Sequence, residues 1–334
     1  MLLGMLLLSG SLHAQQSKEP LVKVGGQAIT LEMVDAIIDQ RFSRDENTDL
    51  KAIAAARAAV LTKLIERQQA LHCLLAMQGG RDLQREIQQA QATALAEVQR
   101  VDRRGQLTDA QKLTLAWEHA WERYLHQSLT VSQLQRFFLD HPYRYDGTKV
   151  LVGQIFLPHR EPASSAVGES YDPAEELERI RQQIDRRELT FEQAARQHSR
   201  GSSAADGGTI GWIEKAGDLP RDLRDVALAG EPGQVLGPIR TSLGWHLIRV
   251  QEKRKGARSF EALEDLTELR RDAAEMLFNQ LVERGSQQTA IEWIDPVWES
   301  ILRASPPLRS AAPSSQSGSE KSGSEKSGSE KSGQ

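Results

Sequence analysis

A single cysteine, Cys73, leaves the chain unable to close an internal disulfide or to build a thiolate metal cluster. It stands beside Leu74 and Leu75 in a helical run and reads as a buried, inert thiol. The chain also lacks a charge excess. A net charge of −4, with 26% charged residues, gives no field suited to nucleic acid, and that partner class is set aside. No long apolar run is present either. The stretch MLLGMLLLSGSLHA at 1–14 holds an apolar segment too short for the ~30 Å hydrocarbon layer of a bilayer. It reads as a secretory signal peptide cleaved after Ala14, which implies export and no stable membrane insertion of the mature chain. Neither His-Glu-x-x-His nor Gly-x-Ser-x-Gly occurs, so hydrolase chemistry has no anchor. The segment Gly207-Gly208-Thr-Ile-Gly211 opens a strand, not a helix, and is no dinucleotide fingerprint. No cofactor and no metal are expected.

Proline is absent from 21 to 141, and glycine there occurs only at 25, 26, 79, 80 and 105. Helices therefore run long between few punctuation points. After a hairpin-like VKVGGQAI, Thr30 can cap a helix with Leu31, Val34 and Ile38 on its apolar face. The spacing of Ile53, Leu61, Leu64, Leu71 and Leu75 predicts a long helix over about 49–77, closed by Gly79-Gly80. Leu83, Ile87, Ala94, Val98 and Val101 mark the next, ended by Gly105. Thr108 with Gln111, and Thr130 with Gln133, form capping boxes for two more. Trp117 and Trp121 share a helix face, by default in a core, with a client-binding groove as the alternative. His119, Glu122 and His126 read as a solvated face, with a metal edge as the weaker alternative.

The pattern changes at Pro142. Lys149–Leu157 is β-rich, Asp172-Pro-Ala-Glu175 starts a capped helix carrying Leu177, Ile180 and Ile184, and Thr190–Gln193 caps a shorter one. Strands fit 209–213, 235–239 and 245–251, with a short helix over 221–229. That order describes a small α+β domain. Asp206-Gly207-Gly208 reads as a turn ahead of a strand, and Trp212 as a core residue at that strand's end. From Ser259 a last long helix carries Phe260, Leu263, Leu266, Ala273, Leu277 and Leu281. Beyond Pro306 the composition falls to Ser, Gly, Glu and Lys, with SGSEK repeated over 317–331, a segment expected to be disordered. The expected organisation is a signal peptide at 1–14, an all-helical domain at 20–146, the α+β domain at 147–254, a C-terminal helical segment at 255–303 and a tail at 304–334.

Within 150–251, four pieces stand in order: VLVGQIFL, ARQHSRGSSAADGGTIGW, LPRDL and GPIRTSLGWHLIRVQ. Together they resemble the parvulin family of peptidyl-prolyl isomerases. The resemblance implies an antiparallel-sheet domain whose site holds a proline ring in an apolar cup edged by polar atoms. Leu219 and Leu223 fall where the family carries Met or Leu and then Phe, and His246 falls on the family's second histidine. Gln154 stands at the first histidine, and Gly201 near the family's Asp or Cys. The resemblance thus assigns His246 and Gln154 as candidate catalytic residues, and Leu219, Leu223, Trp212 and Phe156 as candidate substrate-binding residues. The surrounding layout is similar to SurA-type and PrsA-type foldases, which implies unfolded client polypeptides with Xaa-Pro bonds as partners and a periplasmic location.

Rotation about a peptide C–N bond meets a barrier of ~18–20 kcal/mol because it breaks resonance. It needs no nucleophile, metal or cofactor. An apolar pocket favours the twisted amide, which has lost charge separation, over the planar ground state. With Gln154 and Gly201 in place of titratable groups, two readings stand: a slow isomerase, or a chaperone that holds peptides without turnover.

Overall fold

The computed structural model describes residues 19–41, 50–159, 172–214 and 219–304. The expected signal peptide and the SGSEK tail lie outside the described residues. The chain divides into two compact units, and the second, Lys149–Arg254, is inserted into the first between Thr148 and Lys255.

The first unit opens with a hairpin, β1 (Pro20–Val24) and β2 (Gln27–Thr30). Gly25 and Gly26, both at positive φ, make the two-residue turn whose twist suits such hairpins. Five helices follow: α1 (Leu31–Arg41), α2 (Leu50–Ala76), α3 (Gly80–Val101), α4 (Asp109–Ser128) and α5 (Val131–Asp140). The Thr108–Gln111 capping box is complete, whereas at Thr130 only the hydroxyl bond to the Gln133 amide is formed. One core joins Val22, Val24, Ile29, Val34 and Leu61, and a second joins Leu71, Leu74, Ile87, Trp117 and Leu281. Trp117 is buried and stacks on Trp121 at 5.4 Å, with Phe278 edge-on to both, so this pair belongs to packing. His119 lies 3.4 Å from Glu86, which also holds Arg123, an ion cluster on a partly solvated helix face. Among the described residues no group of His, Cys, Asp and Glu is arranged to hold a metal ion.

The C-terminal part of this unit departs from the sequence reading. The expected helix from Ser259 begins only at Thr267 and forms α9 (Thr267–Gln288). Ahead of it, 260–262 makes a single 3-10 turn, and the Asp265 carboxylate accepts from both the amide and the hydroxyl of Thr267. That local bonding resets the chain. Phe260, Leu263 and Leu266 still pack on the cluster of Leu134, Phe137, Phe138 and Leu269, which explains why their spacing looked helical. Inside this cluster the Tyr145 hydroxyl donates to buried Asp272 at 2.7 Å, and burial beside that carboxylate pushes the phenol far above its ordinary range. Along α9, a Cβ at Gly285 would fall 2.1 Å from the Gln69 carbonyl oxygen, so the glycine permits close approach to α2. Beyond it, β7 (Ile291–Trp293) adds to β1, giving a three-stranded antiparallel sheet in the order β2-β1-β7, and α10 (Pro296–Ala304) follows. The expected hairpin at VKVGGQAI forms two strands of that sheet, and the rest of the unit over 20–146 is helical, as expected. Val101, expected on an apolar helix face, is 93% exposed because it is the last residue of α3.

The second unit runs β3 (Lys149–Pro158), α6 (Pro173–Asp185), α7 (Phe191–His198), β4 (Thr209–Ile213), α8 (Arg221–Ala229), β5 (Val235–Arg240) and β6 (Gly244–Arg254). This is the α+β order expected from the sequence. Asp172 caps α6 through the amides of Ala174 and Glu175, and Thr190 with Gln193 forms a complete capping box on α7. The sheet is antiparallel in the order β4-β3-β6-β5. Ile155 and Leu157 of β3 and Leu247 of β6 pack on Leu177, Ile180 and Phe191, placing α6 and α7 on one sheet face. On the other face a Cβ at Gly230, just past α8, would meet Val250, and Lys253 donates to the Gly230 carbonyl. Alternation along β3 and β6 therefore leaves Gln154, Phe156, His246 and Ile248 on the α8 face.

Candidate functional site

The site is built on the central strand pair. Phe156 is the register partner of His246, and their rings lie 4.9 Å apart at an interplanar angle of 36°. Ile239 of β5 faces His246 from the other side. This places an aromatic ring and an imidazole side by side, with Gln154 and its register partner Ile248 on the same sheet face.

The edge of β3 beside them is covered by the loop from Ser199 to Gly208. The Ser199 hydroxyl accepts from the Phe156 amide at 3.1 Å and from the Gly201 amide at 3.2 Å, while the Arg200 amide donates to the Phe156 carbonyl. Further on, Gly208 accepts from the Gln154 amide at 2.8 Å. The turn expected at Asp206-Gly207-Gly208 is present, with φ of 69° and 84° at the two glycines. Gly201 is thereby brought to Gln154 and Phe156. A Cβ at 201 would stand 3.6 Å from the Gln154 side-chain amide nitrogen and 3.6 Å from the Phe156 Cβ, ordinary contact distances.

His246 is 2% exposed, and its Nε2 lies 2.8 Å from the Thr241 hydroxyl. That hydroxyl also accepts from the Leu243 amide at 3.2 Å and lies 3.3 Å from the Gly244 carbonyl. A hydroxyl has one hydrogen to give. If it donates to Gly244, His246 must carry its proton on Nε2, and the hydroxyl, the Leu243 amide and the imidazole N–H then each have an acceptor. The opposite tautomer would bury a proton on Nδ1, which has no partner. The Nε2–H form is therefore the better satisfied. Burial, with a smaller contribution from the charge of His159, pulls the imidazole down to a pKa of about 4. His246 is neutral across the physiological range.

The candidate residues do not all converge. Gln154, Phe156, Gly201 and His246 come together. Leu223 has no exposed surface and belongs to α8, the helix on the same sheet face as these residues. Leu219, just ahead of α8, is half-buried. Trp212 is separated from the group. Its register partner is Leu151, on the Ile155 and Leu157 face of β3, so it lies on the sheet face opposite His246. It is 37% exposed under the Arg254 guanidinium at 4.1 Å, and the expectation of a core position is corrected. Thr241, Ser199 and His159 were missed. The signal available was weak: Thr241 stands five residues before His246 in TSLGWH, and Ser199 follows the last residue of α7.

Residues 155–252 match the rotamase family described as the PPIC-type PPIASE domain. The Chaperone SurA of Thiobacillus denitrificans is 32% identical over 123 residues, which are 37% of this chain and 26% of the relative. A crystal structure of a PpiC-type peptidyl-prolyl cis-trans isomerase domain is 32% identical and covers 33% of this chain and 95% of its own, with a TM-score of 0.28. A structure from a study of PEB4 and Cj1289, described as SurA-like chaperones of Campylobacter jejuni, is 14% identical and covers 86% of this chain and 98% of its own, with a TM-score of 0.28. The chain spans about a quarter of the length of the first curated relative it matches.

Proposed function

From a chain that carries a PPIC-type domain of the parvulin family, we propose that the protein is a peptidyl-prolyl cis-trans isomerase of low turnover that assists the folding of exported polypeptides. The observation that carries this reading is the pairing of the Phe156 ring with a neutral, turn-anchored His246 on one sheet face, beside the side-chain amide of Gln154. A proline ring packs against Phe156. The Gln154 amide hydrogen-bonds the client backbone. His246 stays uncharged, so the surroundings of the twisting bond remain of low polarity, where the twisted amide is favoured over the planar one. No titratable group stands at 154 or 201, and loss of a preorganised polar group from such a site costs ~10²–10³ in rate by analogy with oxyanion donors.

Clients are extended or unfolded chains with Xaa-Pro bonds, secreted or destined for an outer membrane, and the location is extracytoplasmic. The apolar stretch at 1–14 supports export, and no described helix is long and apolar enough to cross a membrane. Isomerisation of Xaa-Pro peptides by the full chain, compared with Phe156→Ala and His246→Ala, tests this. Catalysis above the buffer rate that both variants weaken is the expected result, and a rate equal to buffer for a folded sample would refute the enzyme.

A second reading is favoured by Gln154 and Gly201 themselves: a holdase that binds peptide on this face without turnover. Peptide binding without accelerated isomerisation distinguishes it.

A further inference from the structure

We propose that His159 is a positioning residue for the site, acting on His246 through the Thr241 turn. The inference rests on the isomerase reading only for its kinetic consequence. β3 ends at Pro158, whose register partner is Gly244, and His159 reaches past that last rung to place its Nε2 2.7 Å from the Thr241 carbonyl oxygen. A carbonyl only accepts, so Nε2 of His159 carries a proton there. Thr241 is at the same time tied into its turn, its amide donating to the Gly244 carbonyl at 2.8 Å. Its hydroxyl makes the 2.8 Å bond that fixes the His246 ring. Two histidines thus hold one threonine from opposite ends, His159 at the carbonyl and His246 at the hydroxyl.

The consequence is mechanical. Without the bond to its carbonyl the Thr241 turn is free to shift as a whole, and with it the hydroxyl that decides which nitrogen of His246 keeps the proton. His159 is an exposed residue, so its bond competes with water and its loss alone does not unfold the strand. What it removes is the constraint on the turn. Because the group bonded is a backbone carbonyl, any side chain with a donor at this reach replaces His159, and an apolar one does not.

The experiment uses the full chain labelled with 15N in its histidines, and its variants His159→Ala and His159→Gln. In the parent, long-range proton–nitrogen spectra show His246 as a single Nε2–H tautomer. In His159→Ala they show a second tautomer or accelerated exchange of the Nε2 proton, and kcat/KM on an Xaa-Pro peptide falls about three- to ten-fold, the size expected for one net hydrogen bond. His159→Gln restores both. A His159→Ala protein with the parent's His246 nitrogen signals and the parent's rate overturns the proposal, as does failure of the glutamine to rescue. If no form turns over, the isomerase reading fails, and the nitrogen spectra still decide the role of His159.

Discussion

His246 sits where burial decides its charge. In an unfolded chain its imidazole would titrate near 6.5, whereas in the fold it is held at about 4. Between those values the unfolded state binds the proton and the folded state does not. The stabilising contribution is therefore complete above pH 6.5 and is lost as pH falls toward 4, at most about 3 kcal/mol. An NMR titration following the His246 ring is expected to give a midpoint near 4, and a midpoint near 6.5 would show an open, solvated ring. The polar rim offers a second prediction at this scale. The double variant Gln154→His with Gly201→Asp adds a titratable ring and a carboxylate at adjoining positions, and a Cβ at 201 meets its neighbours at ordinary contact distances. Isomerase rate is expected to rise by roughly ten-fold or more. An unchanged rate in a folded double variant would mean that these two positions do not limit turnover. The meeting of Gln154, Phe156 and His246 was legible because family-like motifs fix them on two adjacent strands, and Gly201 because its motif sets it in the loop after α7. Thr241 and His159 were not, because the Thr241 hydroxyl meets His246 only once the turn closes, and His159 meets that turn at a backbone carbonyl that no side-chain pattern marks. Trp212 was misplaced because one step along a strand moves a side chain to the opposite face.

Elements were legible in proportion to how local their causes are. The capping boxes at Thr108 and Thr190 span four residues each and were found in full. The strand β7 was invisible, since three residues acquire strand character only by pairing with β1 at the far end of the chain. The start of α9 was misread because side chains packing from a turn mimic helical spacing. Gly285 puts two effects in opposition. Alanine is favoured over glycine in a helix interior by about 1 kcal/mol. Here, however, the added Cβ meets the Gln69 carbonyl oxygen at 2.1 Å, and moving α9 off α2 costs about 1–3 kcal/mol, as other overpacked contacts do. Gly285→Ala is expected to lower the denaturation midpoint, and a raised midpoint would show that the two helices separate freely.

At the scale of the molecule, the inserted unit leaves and rejoins its host at neighbouring points. Lys149 and Arg254 are register partners, and the Gly256 amide donates to the Thr148 hydroxyl at 3.0 Å. Residues 149–254 can therefore be replaced by a short Gly-Ser linker with little strain on the host. The shortened chain is expected to fold and still to suppress aggregation of an unfolded client, measured by light scattering. A folded but inert product would assign client binding to the inserted unit. The central claim concerns that unit's chemistry and is tested most directly by NMR exchange on an Xaa-Pro peptide, comparing the full chain, His246→Ala and buffer. The account predicts cis-trans exchange faster than in buffer with the full chain, and exchange close to the buffer rate with His246→Ala. Exchange at the buffer rate with a folded, peptide-binding full chain would contradict it.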